Sequence, residues 1–420
     1  MSWQDDAGRD LIRSFGDRMA LFVRGEGAYL YDADGRRYLD FLAGIAVNSL
    51  GHAHPVFVDA IATQAGTLAQ VSNYFATPPQ LALAARLKRL AETGAGGRVY
   101  FGNSGAEANE AAFKLARLHG KKTGATRILA LENAFHGRTM GTLAMTGKPA
   151  MQADFLPMVP GVEHIAATIE ALTDAFAAGG AAALIVEPIQ GEAGVVELPE
   201  GYLRAAREVT DKHDALLIID EIQTGAGRTG QWFGFQHAGI RPDAITVAKG
   251  IGGGFPIGAL ITYGAASDLF YPGTHGSTFG GNALGTAVAG AVLGEIEEAG
   301  LVQNAETRGA ELRTGITALD SSLIAGTRGQ GLLIGVALMH PVAKAVVAAA
   351  QEHGLIVNAA NDDTIRLAPP LTIGDTEVAE FFDLFGASLS TVSDALLIDS
   401  SESSPASEHA PDPTPTEVPT

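Results

Sequence analysis

Three short runs decide how this chain folds: AAALIVEP at 181–188, ALLIIDE at 215–221 and DAITVAKG at 243–250. Each has strand length, is rich in Val, Ile and Leu, and closes on a charged or polar residue. Continuous rather than alternating apolarity predicts strands buried on both faces, as in a parallel sheet. Around them lie stretches with helical spacing, GYLRAAREVTDKHD at 201–214 and HPVFVDAIATQAGTL at 54–68. The expected class is α/β, a mostly parallel sheet with helices on both sides. Ligands in such folds bind at the carboxyl ends of strands, which is where Glu187, Asp220 and Lys249 fall.

Two flanking regions read differently. Residues 20–48 predict a hairpin with Asp-Ala-Asp-Gly at its turn. Residues 326–373 carry more short strands, GLLIGVALM and TIRLAPPL, before a helix opening near Asp375. Together these predict a smaller α+β lobe. The expected division is an N-terminal segment, 1–50, belonging to the small domain, a large domain, 51–300, and a C-terminal small domain, 301–395. A disordered acidic tail is expected at 396–420; its last twenty residues, SESSPASEHAPDPTPTEVPT, hold no Lys or Arg.

Composition narrows the partners. The chain has 420 residues, 28 basic and 47 acidic, for a net charge of −19. So acidic a protein makes a poor partner for nucleic acid or an anionic membrane. With no cysteine, disulfides, thiolate metal sites and a cysteine nucleophile are excluded. The acidic start lacks an apolar signal segment, and no apolar run reaches the length of a membrane span, so a cytoplasmic protein is expected. Glycine is in excess, 52 residues, and is expected in turns and in loops that approach a ligand closely.

Five places carry chemistry. Lys249 ends an apolar strand and precedes GIGGGFPIGA. Desolvation there lowers a lysine's pKa and makes it a Schiff-base nucleophile, although a snorkelling lysine at a strand end would look the same. Asp220 ends LLIID and needs a cationic partner, such as a protonated pyridine nitrogen; a helix cap or structural ion pair is the plainer alternative. FGNSGAEANEAAFKLAR (101–117) runs a Gly/Ser loop into a helix, whose free N–H groups and dipole suit a phosphate. Ser104 and Glu107 also read as an ordinary capping box.

In ENAFHGRT (132–139), Phe135 and His136 are candidates to lie over a flat heterocycle, and Arg138 to grip a carboxylate. In HGSTFGGN (275–282), Ser277 and Thr278 are hydroxyl donors suited to an anion, or simply turn formers. His52 and His54 lack an acidic cluster at ligand spacing, so no metal site is expected. A lysine for an aldehyde, an Asp for a ring nitrogen, a helix start for a phosphate and an aromatic for a ring face together make the parts of a pyridoxal phosphate site.

Those stretches, with AFHGRTMGTLAMTG, VEPIQGEAGV, LLIIDEIQTGAGRTG, VAKGIGGGFPIGA and IRLAPPL, resemble the class III pyridoxal phosphate aminotransferases over roughly residues 10–390. The resemblance implies the type I aminotransferase fold and pyridoxal 5′-phosphate as cofactor. It makes Lys249 the lysine that condenses with the cofactor and Asp220 the partner of its pyridine nitrogen, both catalytic. It gives cofactor contacts to Gly105, Ala106, Phe135, Glu221, Ile222, Gln223 and Thr278. Thr278 would reach the phosphate of a neighbouring subunit, so a homodimer with shared sites is implied. Arg138, Ser277, Arg366 and Glu192 would touch substrate, with Glu192 masking Arg366 when the donor has no carboxylate at its reacting carbon.

The implied reaction passes the δ-amine of N2-acetyl-L-ornithine to 2-oxoglutarate, in arginine biosynthesis. Succinyl-diaminopimelate, succinylornithine, ornithine and 4-aminobutyrate are the alternative donors. A non-catalytic binding protein on the same fold is the alternative of another class. Ala76 and Ala283 stand where bulkier residues and proline are common in relatives; the first suggests a wider substrate channel.

Overall fold

The computed structural model describes residues 2–402, with side chains as far as residue 397. Its centre is a seven-stranded sheet in the order Arg98–Gly102, Gly258–Thr262, Ala244–Val247, Leu216–Asp220, Ala181–Val186, Arg127–Leu131, Val162–Ile165. All neighbours pair in parallel except around Gly258–Thr262, which runs antiparallel to both of its partners. The three runs quoted above are central strands, and every residue of each strand is buried.

Burial on both faces explains their unbroken apolarity. Alternate residues point to opposite sides of a strand. Leu216, Ile218, Ala183, Ile185 and Ile128 pack with Ala111, Ala112, Leu115 and Ala116 of the helix Gly105–Thr123. Leu217, Ile219, Leu184, Val186 and Leu129 join the larger core with Leu172, Phe176, Tyr202 and Ala206, from the helices Ile169–Ala177 and Tyr202–Lys212. Each such Leu or Ile contributes about 1.5–3 kcal/mol by leaving water. A polar residue inside any of these strands would be costly, so polar groups collect at the ends, where chemistry is possible.

The expected hairpin is present: Tyr29–Asp32 pairs antiparallel with Arg37–Asp40, and Asp32 to Gly35 make the turn. Leu355–Ile356 adds to this sheet in parallel with Leu39 and Asp40, tying the two ends of the chain together. A further antiparallel sheet runs in the order Ile324–Gln330, Leu333–Leu338, Thr364–Leu367, Asn358–Asn361. It carries Arg366 in its third strand.

The last helix opens at Asp375 as expected and continues to Glu402. Residues 396–402, expected to open a disordered tail, instead continue this helix, and the rest of that expected tail, 403–420, lies outside the described residues. No helix among the described residues is long and apolar enough to cross a membrane.

Candidate active site

The carboxyl ends of the central strands open into a cavity of about 470 Å³, a size suited to a small organic ligand. Gly105, Ala106, Phe135, Arg138, Asp220, Ile222, Gln223 and Lys249 all line it, together with Glu187, His136 and Asn103. Residues spread over about 150 positions of sequence therefore converge on one space.

Asp220 is 3% exposed, and three donors hold its carboxylate. Asn109 Nδ2 donates to Oδ2 at 2.7 Å, His136 Nδ1 to the same oxygen at 2.7 Å, and the Ile222 N–H to Oδ1 at 3.0 Å. Asn109 spends its second N–H on the carbonyl of His136, at 2.8 Å, so one amide fixes both the acid and its histidine. Burial disfavours the His136 imidazolium, but the hydrogen bond and charge of Asp220 outweigh it and lift the ring above the usual imidazole range. His136, expected to lie over a ligand ring, lines the cavity and spends its Nδ1 on Asp220.

Lys249 follows the strand Ala244–Val247 with a left-handed backbone, φ +44°. A side-chain-bearing residue there is strained, and such strain clusters at functional sites. Burial holds its ammonium below the ordinary lysine range, while Glu192 pulls the other way. Glu187, just after the strand Ala181–Val186, accepts the Phe135 N–H at 3.0 Å, and burial pushes its carboxyl up. That bond fixes the main chain of Phe135 at the cavity wall.

The phosphate-type turn is also in place. Ser104 caps the helix Gly105–Thr123 by accepting the Glu107 N–H at 3.1 Å. The return half of the expected capping box differs: the Glu107 carboxylate takes the N–H of Asn103, not of Ser104. At Gly105 a Cβ would stand 2.8 Å from Ile222 Cδ1, so a side chain there would have to displace Ile222 for the helix start to keep this close an approach to the strand end that carries Asp220.

Beside the cavity, Arg366 is 1% exposed. Its Nη1 is hydrogen-bonded to Glu192 Oε1 and lies 3.3 Å from Gln223 Oε1; its Nη2 donates to Asn358 Oδ1 at 2.7 Å. Burial pushes the Glu192 carboxyl up, but the charge and hydrogen bond of Arg366 outweigh this and hold it below the usual range. Arg138, by contrast, is exposed at the rim, its guanidinium 5.7 Å from the Phe135 ring centroid.

Three expected residues sit elsewhere. Glu221 turns away from the cavity: it takes hydrogen bonds from Thr224 Oγ1 and from the N–H groups of Gly234 and Phe235, at 2.8 and 2.7 Å. It lies between Asp220 and Ile222, which both line the cavity, and its own side chain points the opposite way. Ser277 lies one step back, its Oγ accepting from Asn103 Nδ2 at 3.2 Å. Thr278 is exposed and does not line its own chain's cavity. His52 pairs with Asp40 at 2.8 Å. The sequence reading missed Asn109 and Asn358; Asn109 had one signal, a polar residue on the Ala-rich face of its helix.

Comparison with known proteins agrees with this geometry. The family model for aminotransferase class-III matches residues 13–389. The acetylornithine aminotransferase of Streptomyces coelicolor is 50% identical over 372 residues, 88% of this chain and 91% of the relative. The crystal structure of N-acetylornithine aminotransferase from Stenotrophomonas maltophilia K279a is similar with a TM-score of 0.80 and 35% identity, over 90% of this chain and 97% of that one. The ornithine aminotransferase of Toxoplasma gondii ME49 is similar with a TM-score of 0.89 and 31% identity, over 94% and 95%. This chain belongs to the class III aminotransferases.

Proposed function

We propose that this enzyme transfers the δ-amino group of N2-acetyl-L-ornithine to 2-oxoglutarate, giving N-acetylglutamate 5-semialdehyde and L-glutamate, with pyridoxal 5′-phosphate as cofactor. The observation that carries the reading is the buried Arg366 bonded to Glu192 beside the cavity of Lys249. It is supported by relatives of that activity at about half identity.

The residues present fit the cofactor. The N–H groups at the start of the helix Gly105–Thr123 suit its phosphate, and Gly105 and Ala106 keep that approach open. Asp220, fixed by Asn109 and His136, suits a protonated ring nitrogen. Phe135 offers a ring face, Ile222 an apolar wall, and Gln223 an amide for the ring hydroxyl. When bound, the cofactor supplies an aldehyde that takes up the substrate nitrogen and a ring that accepts the electron pair of the adjacent carbon.

The chain's own residues do the rest. Lys249 Nζ would take the proton from the substrate carbon that bears the nitrogen and give a proton back on the far side of that nitrogen. A lysine with a depressed pKa suits both directions. Arg138 at the rim takes a carboxylate of the donor, and Ser277 adds a hydroxyl behind Asn103.

The two substrates ask opposite things of Arg366. Glutamate reacts at a carbon bearing a carboxylate, which needs the guanidinium free. Acetylornithine reacts at a terminal amine with none nearby, and a bare buried arginine would be penalised. Glu192 resolves the conflict by pairing with Arg366 in one half-reaction and parting from it in the other.

We also infer a cytoplasmic homodimer. Thr278, exposed beside Phe279, which is 61% exposed, would reach the neighbouring subunit's phosphate site. A small lobe of 1–50 with 301–395 against a large lobe of 51–300 is supported by the pairing of Leu355–Ile356 with Leu39 and Asp40.

The test is a single-turnover screen that follows loss of the holoenzyme's visible band with acetylornithine, succinyl-diaminopimelate, ornithine, 4-aminobutyrate and glutamate. The expected ranking puts acetylornithine first among the ω-amines, with glutamate also active. A higher kcat/KM for another ω-amine would overturn the substrate. A protein that stays colourless with added cofactor would overturn the whole reading.

A further inference from the structure

The turn that carries Glu192 is held by a set of side chains that the transfer reaction does not itself require. Gly191–Ala193 form one short 3₁₀ turn, followed by two left-handed residues, Gly194 at φ +111° and Val195 at φ +57°. Val195 is branched at Cβ and wholly buried, so its backbone is strained and persists only because its surroundings fix it.

Three side chains supply that fixing, each on a successive carbonyl. Lys148 Nζ donates to the Glu192 carbonyl at 2.7 Å, Asn361 Nδ2 to that of Ala193 at 3.3 Å, and Arg328 Nε to that of Gly194 at 2.8 Å. Arg328 and Asn361 come from the antiparallel sheet that also carries Arg366. Lys148 alone reaches over from the side of the large sheet, just after Gly147, whose N–H bonds the Ala134 carbonyl next to Phe135.

Lys148 differs from the other two in a second way. It is a half-buried ammonium that makes its contact at Glu192 itself, and it stands among the cations whose charge favours ionised Glu192, with Arg366 and Lys249. Burial holds Lys148 below the ordinary lysine range, Glu192 and Glu187 opposing and Arg366 and Arg138 adding to the shift. The ammonium therefore sits inside the same group of charges as the Arg366 pair without bonding to the guanidinium.

We propose that Lys148 is a positioning residue that sets how firmly Glu192 stays on Arg366, and so tunes the balance between amine donors with and without a carboxylate at the reacting carbon. The inference rests on the Glu192–Arg366 gate proposed above. With Lys148 in place, the main chain of the gate is pinned, and opening is confined to rotation of the Glu192 side chain. Without it the turn gains freedom, Glu192 leaves more readily, and Arg366 is free for a larger share of the time.

The experiment compares Lys148→Met, Lys148→Arg and Glu192→Ala holoenzymes with the parent. Two quantities are read: the ratio of single-turnover kcat/KM for glutamate over acetylornithine, and the Kd of glutarate, a dicarboxylate without an amine. For Lys148→Met the ratio should rise and the glutarate Kd fall by about five- to tenfold, within the net size of one ordinary intramolecular hydrogen bond, with Lys148→Arg close to the parent. Equal losses with both donors and an unchanged glutarate Kd would mean a merely structural lysine and overturn the proposal. If Glu192→Ala shifts the ratio while Lys148→Met does not, the gate stands and the role of Lys148 falls. If Glu192→Ala also leaves the ratio unchanged, the gate fails and takes this proposal with it.

Discussion

Asp220 Oδ2 and His136 Nδ1 meet at 2.7 Å, with the two side chains 3% and 0% exposed. A carboxylate so enclosed is stable only while its donors remain, and His136 is one of three. Replacing the ring by one of similar size without a donor, His136→Phe, should cost about 1–3 kcal/mol of stability and weaken cofactor retention.

The pH dependence of that cost follows from the raised folded-state pKa of His136. The stabilisation is fully present below the unfolded value, about 6.5, and is lost as pH rises through the higher folded value. The gap in thermal midpoint between parent and His136→Phe should therefore be widest in acid and narrow at alkaline pH. A gap that widens with rising pH would contradict the charge assignment.

Lys249 combines a chemical role with a strained backbone, and two substitutions separate them. Lys249→Ala should lose the proton-transfer step by about 10²–10⁴-fold or more, with the visible band of the holoenzyme altered and the fold retained. Lys249→Gly should be equally inactive but more stable than Lys249→Ala by about 1–2 kcal/mol, because glycine adopts φ +44° without a Cβ clash. Thermal melts of the two apoproteins and single-turnover absorbance measure both effects.

The strands and the charged residues at their ends were legible because the physics there is local. Burial on both faces demands unbroken apolar runs, and a sheet of this kind leaves its polar groups at the carboxyl ends. Lys249 and Asp220 stood out as charges where apolarity stops. What stayed hidden depends on pairing across the fold. Asn109 and Asp220 are 111 residues apart, and Asn358 meets Arg366 only because two strands of one sheet run side by side. Lys148 and the Glu192 carbonyl are 44 residues apart, so their contact too exists only in the fold. The inclusion of Glu221 among cofactor contacts followed a contiguous motif, whereas side chains there alternate between the two sides of the chain.

Gly105 tests whether close backbone approach is what the helix start provides. Gly105→Ala would bring a Cβ within 2.8 Å of Ile222 Cδ1 and 3.1 Å of Ile222 Cγ2. Cofactor affinity should fall by about tenfold, and a second change, Ile222→Ala, should restore part of it, giving a coupling of about 0.5–3 kcal/mol. Equilibrium titration of the apoproteins with pyridoxal phosphate measures all four corners of the cycle. Strict additivity would show that Ile222 is not what excludes the side chain.

Arg366 should be needed by one donor and dispensable for the other. Its guanidinium bonds Glu192 and Asn358 and lies beside Gln223 while almost wholly buried. Arg366→Leu removes the partner of a carboxylate on the α-carbon, so the glutamate half-reaction should fall by about 10- to 100-fold. Acetylornithine, whose reacting carbon carries no carboxylate, should lose far less. Stability should drop by about 1–3 kcal/mol, below the usual cost of breaking a buried pair, because Glu192 keeps 28% of its surface in contact with solvent. Adding Glu192→Leu should recover much of that loss while leaving glutamate turnover low. Single-turnover rates with each donor, read beside thermal midpoints of the same holoenzymes, separate the binding role of Arg366 from its structural one. Equal losses with both donors would remove the basis for a gated arginine.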